Sequence, residues 1–223
     1  MKRIMAFGAT ALCLGMAAAW AGEAPAGGPP GGGQRPPTRD TRSADPAQAQ
    51  SGNYTSEANH SRIIWSVKHN GFSTFMAVLP YFDAKLNLDA KDPSKSTLEV
   101  SVPMDKITTG VPAAEFTEQL KGERYFNVAK FPTANFKSTK VERAAPNKAR
   151  VTGDLTFLGV TKPAVLEATF NQAGEGPNPG YKVGFDGMLT LKRSEFGLNT
   201  GVPNVSDDVM LMIEAEFVPA KAP

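Results

Sequence analysis

His60 and His69 are the only histidines among 223 residues, and they stand nine positions apart, flanking an apolar stretch. An imidazole takes up a proton readily near neutral pH, so these two are the candidates for a general base in a hydrolase or isomerase reaction. A Ser-His-Asp arrangement assembles in space, and spacing alone does not exclude it. The sequence nevertheless has no Gly-x-Ser-x-Gly elbow, and its serines fall in polar turns or on strand exteriors. It has no glycine-rich phosphate loop and no histidine pair at the spacing of a zinc helix. Asp207-Asp208 fits a solvated turn ahead of the last strand better than a paired-carboxylate site. The Asn-x-Ser/Thr triplets at Asn53, Asn59 and Asn204 are too short a pattern to carry weight.

Two polar residues stand where a binding site would need them. His69 shares the face of Trp65 and Val67, which makes it either a satisfied core group or the polar handle of an apolar pocket. Arg193 continues the face of Leu189 and Leu191 to a strand end. An inward arginine there requires a carboxylate, carbonyls or a ligand head group, and the plain expectation is a bridge to Glu195, Asp207 or Asp208.

The elements that would position these groups are strands, because apolar residues recur with period two. Ile63, Trp65, Val67 and His69 form one face, and Phe75, Ala77, Leu79 and Tyr81 the next. The parity then flips to Phe82, Ala84, Leu86 and Leu88 beside Pro80, which predicts a bulge or bend. Further alternating runs start near Leu98, Ala134, Val151, Leu166, Tyr181 and Val209, giving about eight strands. A single helix is predicted from Pro112 to Lys121, with Phe116 and Leu120 on one face and Gly122 as its stop. The fold class is therefore all-β, an antiparallel barrel or sandwich, with strand number and length favouring an eight-stranded barrel with one short helix.

The chain divides into three parts. Residues 1–21 read as a cleavable signal peptide: Lys2 and Arg3, an apolar run from Ile4 to Ala18, then Ala19-Trp20-Ala21. This predicts an exported, periplasmic protein. Residues 22–52 are rich in Gly, Pro and Ala, and up to Gln50 they contain no Val, Ile, Leu, Met, Phe, Tyr or Trp, so a disordered linker is expected. Residues 53–223 hold the folded domain. Cys13 lies within the signal, so the mature chain is expected to lack thiol chemistry and disulfides. Without Lys2 and Arg3 the basic and acidic residues are equal in number, which gives no electrostatic reason to bind nucleic acid or an anionic membrane.

Four ordered segments resemble the YceI-like proteins, small exported proteins also described as polyisoprenoid-binding. They are His60-Ser61 followed by SVKHNGFST, ERYFNVAKFPTANFKSTKV from Glu123, VTGDLTFLGVTKPAVLEATF from Val151, and KRSEFGLNTGVPNVSDDVMLMIEAEF from Lys192. The resemblance spans about three quarters of the chain. It implies a lipocalin-like, extended antiparallel barrel whose apolar cavity holds a long isoprenoid or similar amphiphilic lipid, a quinone included. The function expected is therefore transport, storage or sequestration of that lipid, without enzymatic activity and without a cofactor other than the bound lipid. The stretch PAAEFTEQLKG from Pro112 and the short loop NTGVPNVSDD depart from the family's pattern.

Strand parity supplies candidate wall residues: Trp65, Phe75 and Tyr81 early in the domain, and Phe157, Phe170, Phe185 and Leu189 later. His69 and Arg193 are the candidates for the polar end. Two other readings remain open. One is a hydrolase or isomerase acting on such a lipid with a histidine base, and the other is a structural domain whose barrel is filled by side chains. A homodimer through an exposed strand or loop is compatible with the sequence, although no heptad or apolar surface patch announces it.

Overall fold

The computed structural model describes residues 40–176 and 180–221. Its strands, in chain order, are β1 (Gly52–Ser56), β2 (Arg62–His69), β3 (Ser73–Leu79), β4 (Asp83–Leu88), β5 (Thr97–Pro103), β6 (Thr133–Ala145), β7 (Lys148–Phe157), β8 (Val160–Glu175), β9 (Tyr181–Lys192) and β10 (Asp208–Pro219). The α-helix among the described residues is α1 (Ala114–Lys121), and none of the described helices is long and apolar enough to cross a membrane. The expected signal peptide and the first part of the expected linker, through residue 39, lie outside the described residues.

Ten strand segments make an eight-stranded closed barrel. One side of β10 pairs with β9; the other pairs with β2 over Met210–Glu214 and with β1 over Phe217–Pro219. Because β1 also pairs with β4 and β2 with β3, the couples β1/β2 and β3/β4 are two long strands, each interrupted once. The sequence β4-β5-β6-β7-β8-β9-β10 completes the ring. Closure leaves few unpaired backbone groups and points one face of each strand into a common interior.

The break beside Pro80 is where the pattern predicts it, with one correction. Leu79 and Phe82 are both buried, so the parity changes at Pro80-Tyr81 rather than after Tyr81. Tyr81 therefore falls in the bend, half-buried, and does not border the interior cavities; Phe82 takes the inward place. At the far end of β7, the two-residue turn Leu158-Gly159 has positive φ at both positions, the geometry that matches the twist of a tight hairpin. Gly153 faces inward from β7, and a Cβ there would lie 2.5 Å from the Phe136 ring, so its missing side chain is what lets that ring from β6 lie over β7.

One stretch of the closed ring is sparsely paired. The outer edge of β3 meets its neighbour only at the isolated bridge Val78↔Thr108, and the β5–β6 connection carrying α1 stands against it. Phe116 of α1 packs edge-on against Phe75 at 5.7 Å, and Leu120 is buried. Both lie on the face that their four-residue spacing predicts, although the helix begins two residues after Pro112.

The boundary of the folded unit differs from expectation. Residues 41–51, expected to belong to the linker, form a strap across the end of the barrel that holds the last residues of β8. Thr41 N–H donates to the Glu175 carbonyl, Ser43 and Ala173 exchange backbone hydrogen bonds, and Asp45 caps a single turn at Pro46–Gln48. A Cβ on Gly174 would sit 2.6 Å from the Thr41 carbonyl oxygen, so the strap crosses β8 at a glycine. Composition does not reveal such a segment, because backbone hydrogen bonds rather than apolar burial hold it.

Two tyrosines anchor the strap. The Tyr54 hydroxyl donates to the Gln50 carbonyl at 2.6 Å, and the Gln50 N–H donates to the Tyr181 hydroxyl at 2.8 Å. Burial, and then repulsion from Tyr181, push the Tyr54 phenol from its ordinary 10.0 up to about 12. Because the folded value lies above the unfolded one, the stability linked to the neutral phenol is complete below pH 10 and is lost as pH rises through about 12. Tyrosinate absorbance at high pH should show one tyrosine ionising late. Tyr54→Phe should remove that late step and cost about 1 kcal/mol, the net worth of one hydrogen bond. If the late step survives in the variant, Tyr54 is not its source.

The outer surface carries one feature that the linear sequence hides. Register aligns Met76, Ser66, Met210 and Thr190 in one row, and Val78, Ile64, Met212 and Met188 in the next. Met76, Met188 and Met210 are exposed, so an apolar band runs across β3, β2, β10 and β9 where no patch was expected.

Candidate ligand-binding cavity

The inward faces enclose two chambers. The upper, of about 730 Å³, lies at the end of the barrel that carries the β2–β3 turn, α1 and the β9–β10 connection; the lower, of about 170 Å³, lies towards the strap. The upper volume alone is within the range of ordinary small-molecule sites. Its wall is mostly aliphatic and aromatic, and it reaches exposed residues at the rim, among them His69, Arg124 and Gly201.

Trp65, Phe75, Phe157 and Leu189 border the upper chamber, and Phe170 and Phe185 the lower one. Period two places them there, since each strand alternates lumen and solvent. The aromatic rings form a continuous series: Phe75–Trp65 at 5.7 Å, Trp65–Phe126 at 6.0 Å, Phe126–Phe157 at 6.0 Å and Phe157–Phe196 at 5.7 Å. Phe126, which links the first pair to the second, was not among the expected residues. It lies in the irregular segment after α1, where periodicity carries no signal. The indole N–H of Trp65 is buried without a hydrogen-bond partner among the described residues, with the Phe126 ring perpendicular to the indole.

Arg193 borders the upper chamber yet is only 5% exposed. Its expected bridge to Glu195, Asp207 or Asp208 is absent. Instead Nε donates to the Ser206 carbonyl at 2.9 Å, Nη1 to those of Leu198 and Thr200 at 3.0 and 2.8 Å, and Nη2 to that of Val205 at 2.8 Å. Four of its five N–H groups thus hold the 198–206 loop in place, which leaves one for anything else. Burial pushes its pKa down from the ordinary value, offset in part by the nearby Asp207 charge. The Asp207 carboxylate itself accepts from the Ser194 hydroxyl and N–H, at 2.7 and 2.8 Å, and these bonds hold it below the usual carboxylate range.

The two histidines lie at opposite ends of β2. His69 is exposed at the rim, with its ring nitrogens 3.4 and 3.3 Å from Asn70 Nδ2, so it is not a core group. His60 precedes the strand at the other end, outside the cavity, where its Nδ1 bonds the Glu57 carboxylate and lies 3.7 Å from Glu216 Oε2. Eight residues of strand put the two roughly 25 Å apart, too far to share a reaction centre. Ser61, next to His60, is fully occupied: its hydroxyl donates to the Glu216 carbonyl and accepts the Glu216 N–H. Glu57, His60 and Glu216 are the donor set among the described residues that could gather around a cation, but Lys182 Nζ already bonds Glu216 at 2.5 Å and balances its charge.

Comparison with known proteins fits this geometry. The family model described as a YceI-like domain matches residues 54–217. A UPF0312 protein of Pseudomonas aeruginosa is 35% identical over 162 residues, which are 73% of this chain and 83% of that one. Among solved structures, a YceI protein of Campylobacter jejuni superposes with a TM-score of 0.62 at 27% identity, covering 69% of this chain and 90% of its own. A polyisoprenoid binding domain from Saccharophagus degradans shares the fold at 10% identity, with a TM-score of 0.59 over 77% of this chain and all of that one. With the model match spanning every strand of the barrel from β2 to β9, and most of β1 and β10, the chain belongs to the YceI-like family.

Proposed function

We propose that this chain is a non-enzymatic binding protein that holds a long isoprenoid-type or similar amphiphilic lipid, a quinone included, within the barrel. The observation that carries this reading is the upper chamber, a 730 Å³ apolar space with an aromatic wall that meets solvent at a polar rim. The likeness of its fold to a domain named for polyisoprenoid binding supports the ligand class. Each buried methylene of a lipid tail contributes about 0.8 kcal/mol, so a chain of ten or so carbons in a preformed cavity outweighs the cost of association. No bond is made or broken. The tail occupies the lumen, and the head group stays near His69 and the 198–206 loop that Arg193 holds. Export by the signal at residues 1–21 would place this carrying, storage or sequestration in the periplasm.

Native mass spectrometry of the exported protein, followed by organic extraction, tests the reading. A stoichiometric long-chain amphiphile is the expected result; a bare mass, with Trp65 fluorescence unchanged by added lipids, would sink it. Replacing His60 and His69 together by Gln should leave tail binding within about threefold of the parent, because His60 lies outside the cavity and His69 meets it only at the exposed rim. A carrier tolerates that change. Abolished binding would show that the rim imidazole holds the ligand and would overturn a tail-driven account.

A further inference from the structure

We infer that the barrel selects its lipid by tail length, at a waist formed by Ile63, Val100, Leu166 and Ile213. This rests on the lipid-binding reading above and adds the feature that would set its specificity. These four residues are the ones that border both chambers, and they come from the neighbouring strands β10 and β2, from β8 two strands along, and from β5 across the ring. Ile63 and Ile213 are direct partners in register. Beside this pair, on β9, the wall closes over a glycine. Gly187 pairs with Ile213, and a Cβ placed on it would lie 3.0 Å from Leu166 Cδ1 and 3.2 Å from Ile213 Cβ. The Leu166 and Ile213 side chains thus converge across the space that Gly187 leaves empty. Two of the four are isoleucines, whose branching at Cβ keeps χ1 stiff, so the constriction does not open by rotamer exchange alone.

Below the waist the space narrows to the small lower chamber, which reaches exposed residues at Thr97, Arg143 and Lys148. Phe170 and Phe185 pack edge-on at 5.6 Å on its wall, and Pro46 and Ala49 of the strap contribute to its lining. At about 30 Å³ for each carbon-sized group, the lower chamber takes roughly five or six carbons, about one isoprene unit, against some twenty to twenty-five above. A tail that fills the upper chamber therefore ends against Ile63, Val100, Leu166 and Ile213. One unit more must displace those side chains before it gains anything from the chamber beyond.

The test is binding of a homologous series of prenyl alcohols, from farnesol through geranylgeraniol to longer members, read by quenching of Trp65 in the exported protein carrying Trp20→Phe, so that Trp65 is its one indole whether or not the signal is cut. For the parent protein, affinity should rise with each isoprene unit and then break off at one length. Leu166→Ala, and separately the milder Val100→Ala, should move the break one unit longer. In each variant the affinity ratio of the first alcohol beyond the parent's limit to the one just within it should rise at least tenfold over the parent's. Two variants are used because the larger truncation risks the fold, whereas losing two methyls at Val100 does not create a comparable void. If the parent and the folded variants break at the same length, the waist does not select, although lipid binding stands. If no alcohol of the series binds the parent, the lipid-binding reading itself fails.

Discussion

Replacing Arg193 by methionine should destabilise the protein by about 3–5 kcal/mol, one of the largest single-residue effects expected in the barrel. The side chain is 5% exposed and donates to the carbonyls of Leu198, Thr200, Val205 and Ser206. Methionine fills a similar volume but leaves those four oxygens facing hydrocarbon, and each buried polar group without a partner is costly. Lysine should rescue little, since one ammonium cannot reproduce the spread of a guanidinium fork. For a domain of this size the melting temperature should fall by about 6–20 °C. Proteolysis should begin within residues 198–206, the loop that loses its support. A melting temperature within about 2 °C of the parent would mean that the loop carbonyls find other partners and that Arg193 does not organise the rim.

Leu211→Trp should weaken lipid binding by about a hundred- to a thousandfold while leaving the melting temperature unchanged or raised. Leu211 is half-buried on β10, beside Trp65 and Leu189 in register, and it borders the upper chamber. An indole adds about six heavy atoms where the tail would lie, and each displaced methylene forfeits about 0.8 kcal/mol of binding. The same atoms fill space that the unliganded fold leaves empty, so folding gains contacts as binding loses them. Paired measurement of affinity and unfolding in one variant separates this from general damage. If affinity and stability fall together, the interior is already packed, and the reading of the barrel as a container is wrong.

These two residues show how unevenly the site can be read from the chain. Leu189, Trp65 and Phe157 are legible because strand parity is a local property: the residue two positions on faces the same way, whatever the rest of the molecule does. The neighbour across the sheet is not local. Met76, Met210 and Met188 stand far apart in sequence, and only pairing registers bring them into one outer band. Tyr81 marks the limit of parity itself, since one residue of irregular backbone after Pro80 moved it from the lumen to the bend. Phe126 marks another, because a buried aromatic in a segment without period has no face to be assigned.

From its residues alone this chain is an antiparallel all-β domain, a barrel in preference to a sandwich, with an oily interior, one expected helix and a family likeness carried by four ordered segments, because alternation and turn residues act over a few positions. Tertiary structure decided what depends on contacts between distant segments. It gave Arg193 carbonyl partners instead of a carboxylate, turned the end of the supposed linker into a strap over β8, and set the two histidines at opposite ends of one strand. It also brought Leu166 and Ile213 together over Gly187, where the two chambers meet. Side-chain type dictates which face is buried; only the closed ring of hydrogen bonds dictates which buried groups meet.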